Sequence, residues 1–140
     1  MSYTQVGTVK KIIITDETSG MEKAESLYII NKESAAESKI KTREITFFLN
    51  KYLSDNGTVM NAEALSLIKE GRYAEAEIIL TDILAENPND PCAANNLGVL
   101  YEFEGNFDSS MNMYYKACSI DPGNSLYKKN FLYLLDTFKP

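Results

Sequence analysis

The stretch Asn96-Leu97-Gly98-Val99-Leu100-Tyr101-Glu102-Phe103-Glu104-Gly105-Asn106-Phe107 decides the fold. Moved back by 34 residues it lands on a weaker image of itself, with Gly98 on Ala64, Tyr101 on Leu67, Gly105 on Gly71 and Phe107 on Tyr73. The match continues outward, Ser110 on Ala76 and Pro122 on Pro88, so that residues 57–90 and 91–124 superpose at a fixed offset. Self-similarity of this length marks helical hairpins that stack, because a single hairpin cannot bury its apolar face alone. The breaks fall at Glu70-Gly71-Arg72, Asn87-Pro88-Asn89-Asp90, Glu104-Gly105-Asn106 and Asp121-Pro122-Gly123-Asn124, each a short polar connection with Gly or Pro. Five helices are expected from Thr58 onward: two hairpins and a last helix over 125–138.

Residues 57–140 resemble the tetratricopeptide repeat family. In the second repeat the family's signature positions read Leu97-Gly98, Tyr101, Gly105, Phe107, Tyr114, Ala117 and Pro122. Each has a mechanical reason: Gly98 lets two helices approach, Gly105 makes the turn between them, the aromatic residues fill the space between helices, and Pro122 stops the second helix for want of an N–H. The first repeat is recognisable through Ala64, Leu67, Gly71, Tyr73, Ala76 and Pro88, and departs at Glu63 and Ile83. The helix over 125–138, with its stripe Tyr127, Phe131, Leu134 and Phe138, looks like the C-terminal cap such arrays need.

The resemblance implies a concave groove, lined by the first helix of each hairpin, that holds a peptide or helix of another protein. Carried over position by position, its lining is Asn61, Leu65, Ile68 and Lys69, then Asn95, Asn96, Val99, Glu102 and Phe103, then Lys129, Asn130 and Tyr133. Asn side chains can pair with backbone amides, and an exposed Phe or Tyr can anchor a partner. The alternative is that Leu65, Ile68 and Val99 pack beneath N-terminal helices. A subclass of the family clamps an acidic chaperone tail with Lys, Asn and Arg. Only Asn96 matches that clamp here, with Asn61, Leu65, Leu126 and Asn130 in the other places, so an acidic tail is disfavoured. A neutral, basic or amphipathic segment suits the array better.

Outward on the N-terminal side, residues 1–56 read as an extension. Thr8-Val9-Lys10-Lys11-Ile12-Ile13-Ile14-Thr15 is rich in β-branched residues and predicts a strand over 8–15, followed by turn chemistry over 16–20. Ser19 with Glu22, and Ser34 with Glu37, fit capping boxes, predicting one or two helices over 21–53, with a break near Asn31-Lys32-Glu33 favouring two. Ile45, Phe48, Leu49 and Tyr52 make an apolar stripe at helical spacing, which predicts an N-terminal cap or an extra pseudo-repeat for the array, closed by Asp55-Asn56-Gly57. The strand at 8–15 must pair with something or leave its backbone to water. Its candidates are a partner's sheet edge, a second copy or its own array, the alternative being a disordered tail.

Composition bounds the function. The chain has 140 residues, 44% apolar, and a net charge of −6. Residues 1–56 balance eight Lys/Arg against eight Asp/Glu, whereas 57–140 carry six against twelve. The acidity therefore sits on the array and argues against nucleic acid. There is no histidine, which removes the commonest general base and metal ligand, and there is no phosphate-cradling Gly-Lys-Ser/Thr motif. Two cysteines, Cys92 and Cys118, imply neither a disulfide framework nor a zinc site. Glu102 and Glu104, or Glu75 and Glu77, sit two apart on a helix and face different ways, so they read as a solvated face rather than an acid–base pair. No secretory signal or bilayer-length apolar run is evident, which predicts a cytoplasmic location without membrane insertion.

The sequence thus predicts an all-α fold: an α-solenoid of helix hairpins with a C-terminal capping helix, plus an N-terminal extension of a short strand and one or two helices. It predicts no enzyme and no cofactor or metal. The expected role is an adaptor, scaffold or chaperone that binds another protein. The rival is a structural subunit that self-associates as a homo-oligomer through its N-terminal strand.

Overall fold

The computed structural model describes residues 8–15, 22–27, 41–49 and 55–138. Its elements run β1 (Thr8–Thr15), β2 (Glu22–Leu27), β3 (Lys41–Phe48), then α1 (Asp55–Lys69), α2 (Tyr73–Glu86), α3 (Pro91–Glu104), α4 (Phe107–Ile120) and α5 (Ser125–Thr137). The five helices appear where the sequence places them. No helix among the described residues is long and apolar enough to cross a membrane.

The repeat is visible bond by bond. In the first hairpin turn Gly71 N donates to Ile68 O at 3.0 Å and Arg72 N to Leu67 O at 2.8 Å. One repeat later Gly105 N donates to Glu102 O at 3.1 Å and Asn106 N to Tyr101 O at 2.9 Å. Both glycines are left-handed, at φ 77° and 79°, the conformation that lets a helix end return its last carbonyls to the following amides. The connections between hairpins repeat likewise: Asn87 N to Ile83 O matches Asp121 N to Ala117 O. Asp90 accepts from Cys92 N and Asn124 from Leu126 N, each at 2.9 Å, so the same cap starts α3 and α5. Gly98 faces Tyr114. A Cβ there would lie 2.5 and 2.7 Å from two ring carbons of Tyr114 and 3.2 Å from Ser110 O.

The N-terminal extension departs from expectation. The helices expected over 21–53 are contradicted at 22–27 and 41–48, which are strands. Both form one sheet with β1, in the order β2-β1-β3. β1 pairs antiparallel with β2, from Lys10 opposite Leu27 to Thr15 opposite Glu22, and parallel with β3, from Thr8 opposite Lys41 to Thr15 opposite Phe48. Both edges of β1 are therefore satisfied inside the chain. Of the stripe Ile45, Phe48, Leu49 and Tyr52, Ile45 and Phe48 lie in β3 and Leu49 follows it, and Ile45, Thr46, Phe47 and Phe48 are all buried. A strand covered on both faces reads as a continuous apolar run, and periodicity alone does not separate that from a buried helix. Asp55-Asn56-Gly57, expected to close a helix, opens α1 instead. The proposed turn at 16–20, the break near residue 32, the second capping box and Tyr52 lie outside the described residues.

Ile12, Ile14, Ile45 and Phe47 of the sheet share one core with Leu65, Ile68, Val99, Leu100 and Phe103 of the first helices. Phe48 joins Cys92, Ala94, Ala117 and Tyr127, its ring tilted 47° against that of Tyr127 at 4.6 Å between centroids. Gly98→Ala is expected to cost about 1–3 kcal/mol, because the Tyr114 ring is fully buried and cannot retreat. Gly71→Ala, with open space but a left-handed backbone, is expected to cost about 1–2 kcal/mol. Urea unfolding of both variants checks the order.

Candidate functional site: a groove occupied by a strand

Asparagines recur on the first helices: Asn61 on α1, Asn95 and Asn96 on α3, and Asn130 on α5. All four are fully buried. Asn96 Nδ2 donates to Asn61 Oδ1 at 2.8 Å, and one repeat later Asn130 Nδ2 donates to Asn95 Oδ1 at 2.8 Å. Each downstream member then has one N–H and its carbonyl left, and turns both toward β3. Asn96 donates to Phe48 O at 2.8 Å and accepts from Phe48 N at 2.9 Å. Asn130 donates to Thr46 O at 3.0 Å and accepts from Thr46 N at 3.2 Å. Asn95 adds a second donor to Thr46 O at 2.8 Å. Residues two apart on a strand present their backbone groups to the same edge. β3 ends the sheet, and its outer edge is completed by side-chain amides where a fourth strand would otherwise lie.

A buried ion pair fixes the register. Arg43 and Glu102 are exposed by only 2% and 1%. Arg43 Nε donates to Glu102 Oε2 and Nη2 to Oε1, both at 3.0 Å, the bidentate geometry that suits guanidinium and carboxylate. Arg43 also donates to Glu44 O at 2.6 Å and Asn130 O at 3.2 Å, and lies 4.0 Å from the Tyr133 ring centroid. Tyr114 OH donates to Glu102 Oε1 at 2.8 Å. Burial, with the Glu102 carboxylate beside it, pushes the Tyr114 hydroxyl well above the ordinary tyrosine range. At the surface Lys129 meets Glu44 at 3.0 Å, and that hydrogen bond lowers the Glu44 carboxyl.

The structure therefore brings most of the predicted groove residues together around β3. Asn95, Asn96, Glu102, Lys129, Asn130 and Tyr133 contact it directly, and Asn61 supports Asn96. Leu65, Ile68, Val99 and Phe103 lie in the core beneath the sheet, so Phe103 is no exposed anchor. Lys69 is exposed at the end of α1. Sequence reasoning missed Arg43, Thr46, Phe48 and Tyr114 as parts of the groove. The 35-residue spacing shared by Asn61/Asn96 and Asn95/Asn130 was a signal that could have found the clamp. Among the described residues no cluster of three or more His, Cys, Asp or Glu could hold a metal ion.

The tetratricopeptide repeat family model matches residues 67–129, which include Asn95, Asn96 and Glu102 but not Asn61 or Asn130. Residues 67–129 of the helical array thus carry the tetratricopeptide repeat. Members of that family are protein-interaction scaffolds, and that general role is supported here. Among solved structures, that of a point mutant of MamA is similar, at 20% identity and a TM-score of 0.49. The match covers 61% of this chain and 63% of that one, so it spans less than two thirds of either. No curated protein matches.

Glu102→Leu leaves Arg43 buried without its counter-charge, and a loss of about 3–5 kcal/mol is expected in denaturant unfolding, most of it regained by adding Arg43→Met. Stability should also fall as pH rises above about 10, the ordinary tyrosine value. There the unfolded chain releases the Tyr114 proton while the folded chain keeps it, so the unfolded state binds fewer protons. Tyr114→Phe should flatten this alkaline slope in unfolding measured against pH.

Proposed function

We propose that this chain is a protein-interaction adaptor whose groove recognises an extended segment through its main chain, and that β3 is the groove's resting occupant. The observation that carries the reading is the paired use of Asn96 and Asn130. Each takes both the N–H and the C=O of one residue, a mode of recognition indifferent to side-chain identity. Selectivity comes from the side chains beside it: a basic residue on Glu102, as Arg43 provides, and an aromatic residue five positions on, as Phe48 provides. The partner is accordingly a basic or amphipathic extended segment of another protein. The buried Arg43, Glu102 and Tyr114 side chains are committed to one another, which supports binding rather than catalysis. We place the adaptor in the cytoplasm.

A partner reaches this groove when β3 leaves it. A second copy's β3 is an equally matched occupant, which would give the self-associating subunit.

The test uses a fluorescent peptide with the sequence of residues 41–49. The intact chain should not capture it. Thr46→Pro, which removes the N–H that Asn130 accepts and disfavours the strand, should capture it with a dissociation constant in the micromolar range. Adding Asn96→Ala should weaken capture at least tenfold. Circular dichroism establishes that the helices persist in each variant, and light scattering reads the oligomeric state. A folded Thr46→Pro chain that takes no peptide and forms no oligomer refutes the reading.

A further inference from the structure

Where the sheet meets the far end of the array, a cavity of about 160 Å³ opens between five elements. Lys10 of β1, Arg43 of β3, Glu102 of α3, Phe107 of α4 and, from α5 and its C-terminal end, Tyr133, Leu134, Thr137 and Phe138 line it. Its charge is unbalanced. Glu102 is engaged by Arg43 through both carboxylate oxygens and by the Tyr114 hydroxyl. That leaves the Lys10 ammonium with no ion pair among the described residues. One of its three N–H groups goes to Glu102 O at 3.0 Å, where it caps the end of α3. The ammonium lies 5.1 Å from the Phe103 ring centroid and 5.9 Å from that of Phe107, an apolar setting. Two cations against one carboxylate leave a net positive wall within an array that is otherwise acidic.

We propose that this cavity binds a small monocarboxylate carrying an apolar body the size of one aromatic ring. The carboxylate would meet the remaining Lys10 N–H groups, gaining a charge-assisted hydrogen bond in a site where water screens it poorly. The body would lie against Phe107, Leu134 and Phe138. The volume suits it, since an apolar cavity of about 150 Å³ accommodates benzene. Phosphate or a dicarboxylate fits less well, because one net positive charge and apolar walls do not offset a second negative charge. The walls come from both the sheet and the array, so the cavity exists only while the sheet is docked. The ligand therefore favours the state in which β3 occupies the groove. The binding itself does not depend on strand release.

Phenylacetate titrated into the full chain tests this by calorimetry. A saturable dissociation constant at or below about 1 mM is expected, a modest figure for a ligand this small. Phenylacetamide, equal in shape but neutral, should bind at least tenfold more weakly. Lys10→Met should weaken phenylacetate by a similar factor, and Lys11→Met should not. Thr137→Trp, made from an exposed residue at the rim, should abolish binding with every charge in place. Should Lys10→Met fail to fold, the phenylacetate–phenylacetamide ratio and Thr137→Trp decide the matter in folded protein. No saturable binding, equal affinity for the amide, or binding that survives Thr137→Trp would overturn the assignment.

Discussion

The outer edge of β3 imposes the constraint on which the rest of the structure turns. A strand at the end of a sheet has backbone N–H and C=O groups on one side with no strand to meet them, and burying them unpaired would cost about 1–3 kcal/mol each. β3 is buried, so those groups must be paired. The helices supply the partners as asparagine amides, which carry the same donor and acceptor as a peptide group. The position of every other piece follows. The sheet has to lie along the first helices of the array, its apolar face has to meet Leu65, Ile68 and Val99, and its edge has to run past Asn130 and Asn96 in order.

Amide clamps alone would tolerate a slip of two residues along β3, because the main chain repeats with that period. The Arg43–Glu102 pair forbids it. A shift would strand a guanidinium and a carboxylate in the core, a penalty larger than the gain from any single hydrogen bond. Replacing the pair by apolar residues would cost little in stability, so its value lies in register. Phe48 acts from the other end, filling a space beside Tyr127 that Thr46 or Glu44 would leave empty. Recognition is thus divided: the main chain contributes affinity and the side chains at 43 and 48 set position.

The helical half was legible because its informative residues answer to local mechanics. Gly71 and Gly105 turn left-handed, Gly98 admits Tyr114, and Asp90 and Asn124 cap helices, all consequences of the residue itself or of neighbours within the same hairpin. The groove asparagines were legible as candidates, though not as a clamp on this chain's own strand. The sheet was not legible, for two different reasons. Glu22–Leu27 is composed largely of good helix formers, and pairing with β1 overrides that preference. Lys41–Phe48 ends in a run buried on both faces, which erases the alternation that identifies a strand. The partner of Arg43 lies 59 residues away, and nothing near either residue announces it.

A groove with a tethered occupant behaves differently from an open one. Phe48 and Asp55 are a few positions apart, and a tether that short gives its strand an effective concentration on the order of millimolar. A free segment making the same contacts, present at micromolar concentration, would lose that competition by roughly a thousandfold. Nor does β3 leave alone. All of its residues, Lys41 to Phe48, are paired in register with β1, so release of the whole sheet breaks fewer backbone hydrogen bonds than withdrawal of β3 from both sides. Release then uncovers two apolar surfaces at once, the sheet's Ile12, Ile14, Ile45 and Phe47 and the array's Leu65, Ile68 and Val99. A competent partner must cover at least one of them in addition to supplying a strand. On the proposed reading, that requirement keeps the groove closed to the many extended segments that could satisfy two asparagines but bring no apolar face.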